Sequence, residues 1–162
     1  MKAHSETLTP LAHSAQNRCF GCGTANPTGL RLEFMLAQDG TVVCLASIPE
    51  TFEGPRGFVH GGIIATLLDE AMSKLNRPLN VLAMTRHMEV DYLRPVPLYQ
   101  PLVLVARHHS RPTKSDGTPD RKLFHQAEIQ RPDGTVLARA KGVFIALDEK
   151  ILAAAGFTTP QP

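Results

Sequence analysis

The stretch Phe58 to Leu75, FVHGGIIATLLDEAMSKL, carries the residue types best suited to chemistry. Gly61 and Gly62 stand where a helix begins, and glycines there leave the first N–H groups unobstructed. Such amides hold an oxygen that turns negative during a reaction, so they polarise a carbonyl. Asp69 follows eight residues after Gly61. It lies roughly opposite the centre of the apolar face, on a stripe shared with the small Ala65, Thr66 and Ser73, where a carboxylate can line a narrow groove. Eight residues of helix span about 12 Å, so Gly61 and Asp69 of one chain cannot both touch one carbonyl carbon. If both act in one reaction, the site is composite, one subunit offering the helix N-terminus and another the carboxylate. Glu70 sits at the boundary of the apolar face, four residues before Lys74, and reads as half of a solvated ion pair.

Other chemistries find little support. The chain contains no G-x-S-x-G, G-x-x-x-x-G-K-[ST] or H-E-x-x-H motif, which are the marks of many hydrolases, nucleotide-binding loops and zincins. Gly21-Cys22-Gly23 lacks the third glycine and the preceding strand of a dinucleotide fingerprint. Cys19-x-x-Cys22 has the spacing of half a zinc site, but no second pair follows. Zinc would have to recruit His13, His4 or a partner chain, so the pair is read as two small residues in a Gly-rich turn, with no metal expected.

The helix that must position Gly61 and Asp69 is the clearest element. Ile63, Ile64, Leu67, Leu68, Ala71, Met72 and Leu75 fall on one broad face, and Asn76, Arg77 and Pro78 stop it. Before it, Leu30 to Leu36 alternates apolar and polar residues as a half-buried strand does. Asp39-Gly40 signals a hairpin, and Thr41 to Ile48 supplies a second strand. After it come four strand-like stretches, about 81 to 93, 101 to 111, 121 to 131 and 135 to 147, separated by proline- and glycine-containing turns. This order implies an α+β fold with about six antiparallel strands. One helix cannot cover both faces of such a sheet, so an exposed edge or face predicts a homo-oligomer. Residues 1–17 and 151–162 read as tails around a single domain at 18–150.

Composition agrees. The 162 residues are 43% hydrophobic and 20% charged, with 17 Lys and Arg against 15 Asp and Glu, the balance of one ordinary domain. Twelve Gly, 13 Pro and no Trp describe a turn-rich aliphatic core. A formal charge of +2 and few aromatics argue against nucleic acid or an anionic membrane as partner. An odd count of three cysteines, and no apolar run long enough for a signal peptide or membrane span, lead to the expectation of a cytoplasmic protein.

The string HGGIIATLLDEAM, preceded by CFGCGTANPTGLRLEF and followed by MTRHMEVDYLRPVPL, resembles the hotdog-fold acyl-CoA thioesterases of the phenylacetate-pathway (PaaI-like) type. The resemblance covers about residues 18 to 148. It implies a long central helix wrapped by an antiparallel sheet, a dimer or dimer of dimers, and hydrolysis of the thioester of an acyl-coenzyme A. No cofactor is implied, since coenzyme A is part of the substrate. By that resemblance Asp69 matches the catalytic acid, Gly61 the amide that polarises the thioester carbonyl, His60 the histidine preceding it, and Thr85 a hydroxyl that helps position the attacking water. Some relatives carry Asn or Gln six residues before the histidine. This chain has Gly54 there, which leaves the carbonyl to Gly61 and His60.

Asp69 would serve as general base on water or as nucleophile through an anhydride. Gly62, Arg56, Arg86 and Arg94 are the expected substrate-binding residues. The basic run from Arg107 to Lys122, with Arg111, Lys114 and Arg121, is a further source of phosphate contacts. Ile63, Leu67, Met72, Met84 and Met88 either line an acyl pocket or, at these spacings, pack the core. A hotdog hydratase or dehydratase and a non-catalytic acyl-CoA-binding module are the alternative readings.

Overall fold

In the computed structural model the described residues are 7–154. Their elements are β1 (Thr9–Pro10), β2 (Met35–Leu36), β3 (Val42–Ala46), α1 (Gly61–Ser73), β4 (Ala83–Tyr92), β5 (Leu102–Ser110), β6 (Lys122–Gln130), β7 (Val136–Ala146) and α2 (Glu149–Ala154). All strand pairs are antiparallel, in the order β1-β2-β3-β5-β6-β7-β4. The seven-stranded sheet thus has one strand more than expected, because Thr9 and Pro10 pair with Leu36 and Met35. That corrects part of the N-terminal tail: residues 9–10 are sheet. The C-terminal segment begins with α2, and 155–162, like 1–6, lie outside the described residues.

The long strands form where periodicity and turn chemistry coincide. Gly40, Gly117 and Gly134 adopt φ of +84°, +81° and +86° at the hairpin turns, a region that glycine enters without steric cost. Each turn is reinforced by an aspartate accepting from the backbone two residues on: Asp39 from Thr41, Asp116 from Thr118 and Asp133 from Thr135. Leu30 to Leu36 keeps its alternating burial, with Leu32 and Phe34 inside, yet only Met35–Leu36 joins the ladder. Arg31 takes a φ of +51°, and the amides of Leu30 and Leu32 donate to the carbonyls of Phe20 and Gly21 instead of to a neighbouring strand.

Helix α1 lies across one face of the sheet, against β3 to β7. Ile64, Leu67, Leu68, Ala71 and Met72 are buried along it, and each large apolar side chain taken out of water contributes about 1.5–3 kcal/mol. Met72 fills the gap over Gly142, where an added Cβ would stand 3.0 Å from its sulfur. Met72 and Leu67 are therefore core residues and not an acyl-pocket wall. The helix tightens at Lys74–Asn76 into one 3-10 turn. Here Asn76 turns inward, its Oδ1 3.0 Å from Nε2 of the buried His125. No helix among the described residues is long and apolar enough to cross a membrane.

Candidate active site at the two ends of helix α1

The approach to the helix is pinned by backbone bonds. The Val59 amide donates to the Val96 carbonyl and the His60 amide to the Phe52 carbonyl, so residues 58–60 arrive extended and α1 starts abruptly. His60 is the N-cap, and its Nδ1 accepts from the Gly62 amide at 3.0 Å. Two consequences follow. The Gly62 N–H is spent inside the cap, so a part for Gly62 in substrate binding would not come from this amide. A neutral His60 that accepts at Nδ1 carries its proton on Nε2 and presents a donor outward. The Ile63 and Ile64 amides both return to the His60 carbonyl. Gly61 alone of these first residues has an amide with no acceptor among the described residues.

Gly61 is held from its other side as well. Tyr92, at the end of β4, donates its hydroxyl to the Gly61 carbonyl at 3.2 Å. Tyr92 lies in the string MTRHMEVDYLRPVPL that carries part of the family resemblance, and that string is the only local signal for it. The structure also accounts for Gly54. A Cβ at that position would meet the His60 Cα at 2.8 Å, so this backbone path leaves no room for the amide side chain found in some relatives.

Asp69 is half-buried, two turns further along α1, on the side facing β4. The hydroxyl of Thr85 donates to its Oδ1 at 2.7 Å, which brings together two residues that the resemblance named for separate tasks. Burial pushes the Asp69 carboxyl above its ordinary value. The Thr85 hydrogen bond pulls it down and the charge of Glu70 pushes it up again. Arg86 follows on the bulge where the β4–β7 register slips between Thr85 and His87, and its side chain is exposed. Arg56 is exposed in the turn before His60, next to Gly57 at φ +86°. Arg94 is committed to the fold through one nitrogen, which donates to the Val136 carbonyl at 2.7 Å. Among the wider basic set, Arg111 donates to the Asp120 carbonyl and Arg121 to the Ala146 carbonyl.

Glu70 departs from expectation. It is not solvated: its carboxylate and the Lys74 ammonium are 2.5 Å apart, with side chains only 12% and 9% exposed. The loop at Cys19 to Gly23 closes over them, and Cys22 Sγ accepts from Lys74 Nζ at 3.0 Å.

Comparison with known proteins agrees with this geometry. Residues 56–110, from the turn before His60 through β5, match the family model described as Thioesterase superfamily. The rat acyl-coenzyme A thioesterase THEM4 is 35% identical over 108 residues, 66% of this chain and 44% of that protein. The chain therefore matches less than half the length of that relative. A solved thioesterase superfamily protein, RHA08564, superposes with a TM-score of 0.71 at 28% identity, over 80% of this chain and 60% of that one. The Escherichia coli PaaI protein of the phenylacetic acid degradation operon shares the fold, with a TM-score of 0.62 at 17% identity over 74% of this chain and 81% of that one. One helix laid on an antiparallel sheet is the hotdog fold, and the chain belongs to the thioesterase superfamily.

Proposed function

We propose that this chain is an acyl-CoA thioesterase whose working site is built from two copies. The observation that carries the reading is the division of labour along α1: a free Gly61 amide at the helix N-terminus, and an Asp69 carboxylate bound by Thr85 on one oxygen alone. Asp69 Oδ2 accepts a proton from water, and the resulting hydroxide attacks the thioester carbonyl carbon. The oxyanion is held by the Gly61 N–H and the His60 Nε2–H. The C–S bond then breaks and the coenzyme A thiolate leaves. A thioester is already activated, so neither a Ser–His pair nor a metal is needed for this step.

Two copies are required because Gly61 and Asp69 are separated by about 12 Å along one helix. The surface that would join them is β4, the outermost strand on its side of the sheet. Its ten residues leave one hydrogen-bonding edge free, and apolar side chains are exposed on and beside it: Leu82 50%, Met84 64%, Tyr92 55% and Leu93 44%. Such an edge favours pairing with its own copy.

The relatives lend support. THEM4 is named an acyl-coenzyme A thioesterase, and a Streptococcus pneumoniae hypothetical thioesterase was solved with coenzyme A. Two mutants of that protein replace an Asp and a Thr that stand 16 positions apart, the separation of Asp69 and Thr85 here. Arg56 and Arg86, exposed near the two ends of the site, are the proposed contacts for the nucleotide phosphates. A KM that rises with salt would support them. Three free cysteines fit a reducing, cytoplasmic setting.

The test is a panel of saturated acyl-CoAs with a thiol-detecting reagent, on wild type and Asp69→Ala. Release of free thiol by wild type and its loss in the variant are expected. Equal release by both, or binding without release, would overturn the reading.

A further inference from the structure

The buried pair Glu70–Lys74 is roofed by Cys19 and Cys22, and nothing in thioester hydrolysis uses this cluster. One donor atom each from Cys19, Cys22 and Glu70 lie within 4.8 Å of one another. Cys19 Sγ stands 3.7 and 3.6 Å from the two Glu70 oxygens. The loop is shaped to bring the sulfurs there. The Gly23 amide donates to the Cys19 carbonyl at 2.8 Å. Any side chain at Gly21 would strike the Glu70 carboxyl at 2.6 Å, and one at Gly23 the Cys19 backbone at 2.5 Å. A fourth donor is waiting nearby. The buried His13 Nε2 has no hydrogen-bond partner, and its ring is close enough to Lys74, Arg77 and Glu70 for their charges to act on it.

We propose that Cys19, Cys22 and Glu70, with His13 as fourth ligand, form a structural site for one zinc-class divalent cation that staples the N-terminal segment to helix α1. The sequence showed half of such a site and no second half; the fold supplies it from α1 and from the segment before the loop.

Charge balance favours it. Two thiolates and one carboxylate bring three negative charges, and the cation and Lys74 bring three positive ones. The closed, half-buried cluster is thereby neutral, with Lys74 Nζ still able to donate to Cys22 Sγ. Binding releases the two thiol protons to solvent. Without a cation, burial and the hydrogen bond to Glu70 hold the Cys22 thiol up at about 11 against the pull of Lys74. Zinc–ligand bonds of about 2.0–2.3 Å set neighbouring ligands roughly 3.5–3.8 Å apart, so the Cys19, Cys22 and Glu70 donors need draw in by about 1 Å, and His13 has to turn in from outside that group.

The experiment uses the full chain, reduced and stripped with a chelator, then titrated with Zn2+ and separately with Co2+. The expected result is one metal ion per chain, a thiolate-to-cobalt charge-transfer band, two protons released per ion and a melting temperature raised by zinc. Cys19→Ser, an exposed position that leaves the core intact, should weaken binding at least about 100-fold and remove part of the band. Glu70→Gln should do likewise, and His13→Ala should weaken binding about 10-fold. Cys44→Ser, in a strand away from the cluster, should leave the titration unchanged. Absence of the charge-transfer band, or an unaltered titration in Cys19→Ser, would overturn the proposal. The outcome is independent of the thioesterase reading: Asp69→Ala should still take up its metal ion.

Discussion

Asp69 and Glu70 are consecutive carboxylates on one helix, and their surroundings drive them in opposite directions. Asp69 faces β4 with a single neutral partner, and burial leaves its carboxyl above the ordinary range. Glu70 faces the Cys19–Gly23 loop. Burial alone would raise it too, but the charge of Lys74 and the hydrogen bonds from Cys22, Lys74 and Cys19 outweigh that, and its carboxyl lies below the ordinary range. An uncompensated carboxylate holds a proton more readily and is the stronger base; a fully compensated one is a structural anion. A rotation of about 100° around a helix separates the two.

Their linkage to stability has opposite sign. Glu70 contributes stability that is present at neutral pH and is lost as pH falls from its unfolded value near 4.5 through the lower folded one. Asp69, with a raised folded value, favours the folded state when protonated and withdraws that contribution as pH rises through that value.

The largest expected effect that breaks this contrast is Asp69→Asn. It should lower kcat about 1,000-fold while leaving the melting temperature unchanged or slightly raised, as thiol release and thermal unfolding will show. Glu70→Ala should do the reverse. It strands the Lys74 ammonium, whose exposure is 9%, and should cost about 3 kcal/mol in urea unfolding. Gly21→Ala pushes a methyl into the Glu70 carboxyl and should cost about 2 kcal/mol by the same measurement.

Thr85→Val removes the one group that lowers Asp69. The acid limb of kcat/KM, which falls as Asp69 is protonated, should move to higher pH, and the plateau should fall about 10-fold or less. Smallest is Gly61→Ala. Its Cβ would meet only Tyr92, at 3.8 Å, so stability should change by no more than about 0.5 kcal/mol, with the amide proposed to hold the oxyanion intact.

Much of the fold was legible because its signals are local. The apolar face of α1, the strand-like stretches of β4 to β7 and the Asp-Gly turns each lie within a dozen or so residues, and each of β4 to β7 falls within two residues of its expected bounds. The extra β1 was not legible, since two residues carry no periodicity. The leading strand shrank because one left-handed residue, Arg31, redirected its hydrogen bonds. At the site, the contact of Asp69 with Thr85, 16 residues away in sequence, was not legible, because it depends on how β4 packs beside α1. That His60 takes the Gly62 amide was not legible, because an open amide at a helix start looks the same in sequence whether or not a cap side chain takes it.

What the sequence by itself determined is the helix with its glycine entry, the stripe on which Asp69 sits and its distance from Gly61 along the helix. Each follows from 3.6-residue geometry, which needs no knowledge of neighbours. Only the tertiary structure decided which amide is left free and which carboxylate is compensated. Burial and charge pairing depend on segments remote in sequence: the Cys19 loop, 51 residues before Glu70, covers one flank of α1, while β4 covers the other and supplies a single hydroxyl.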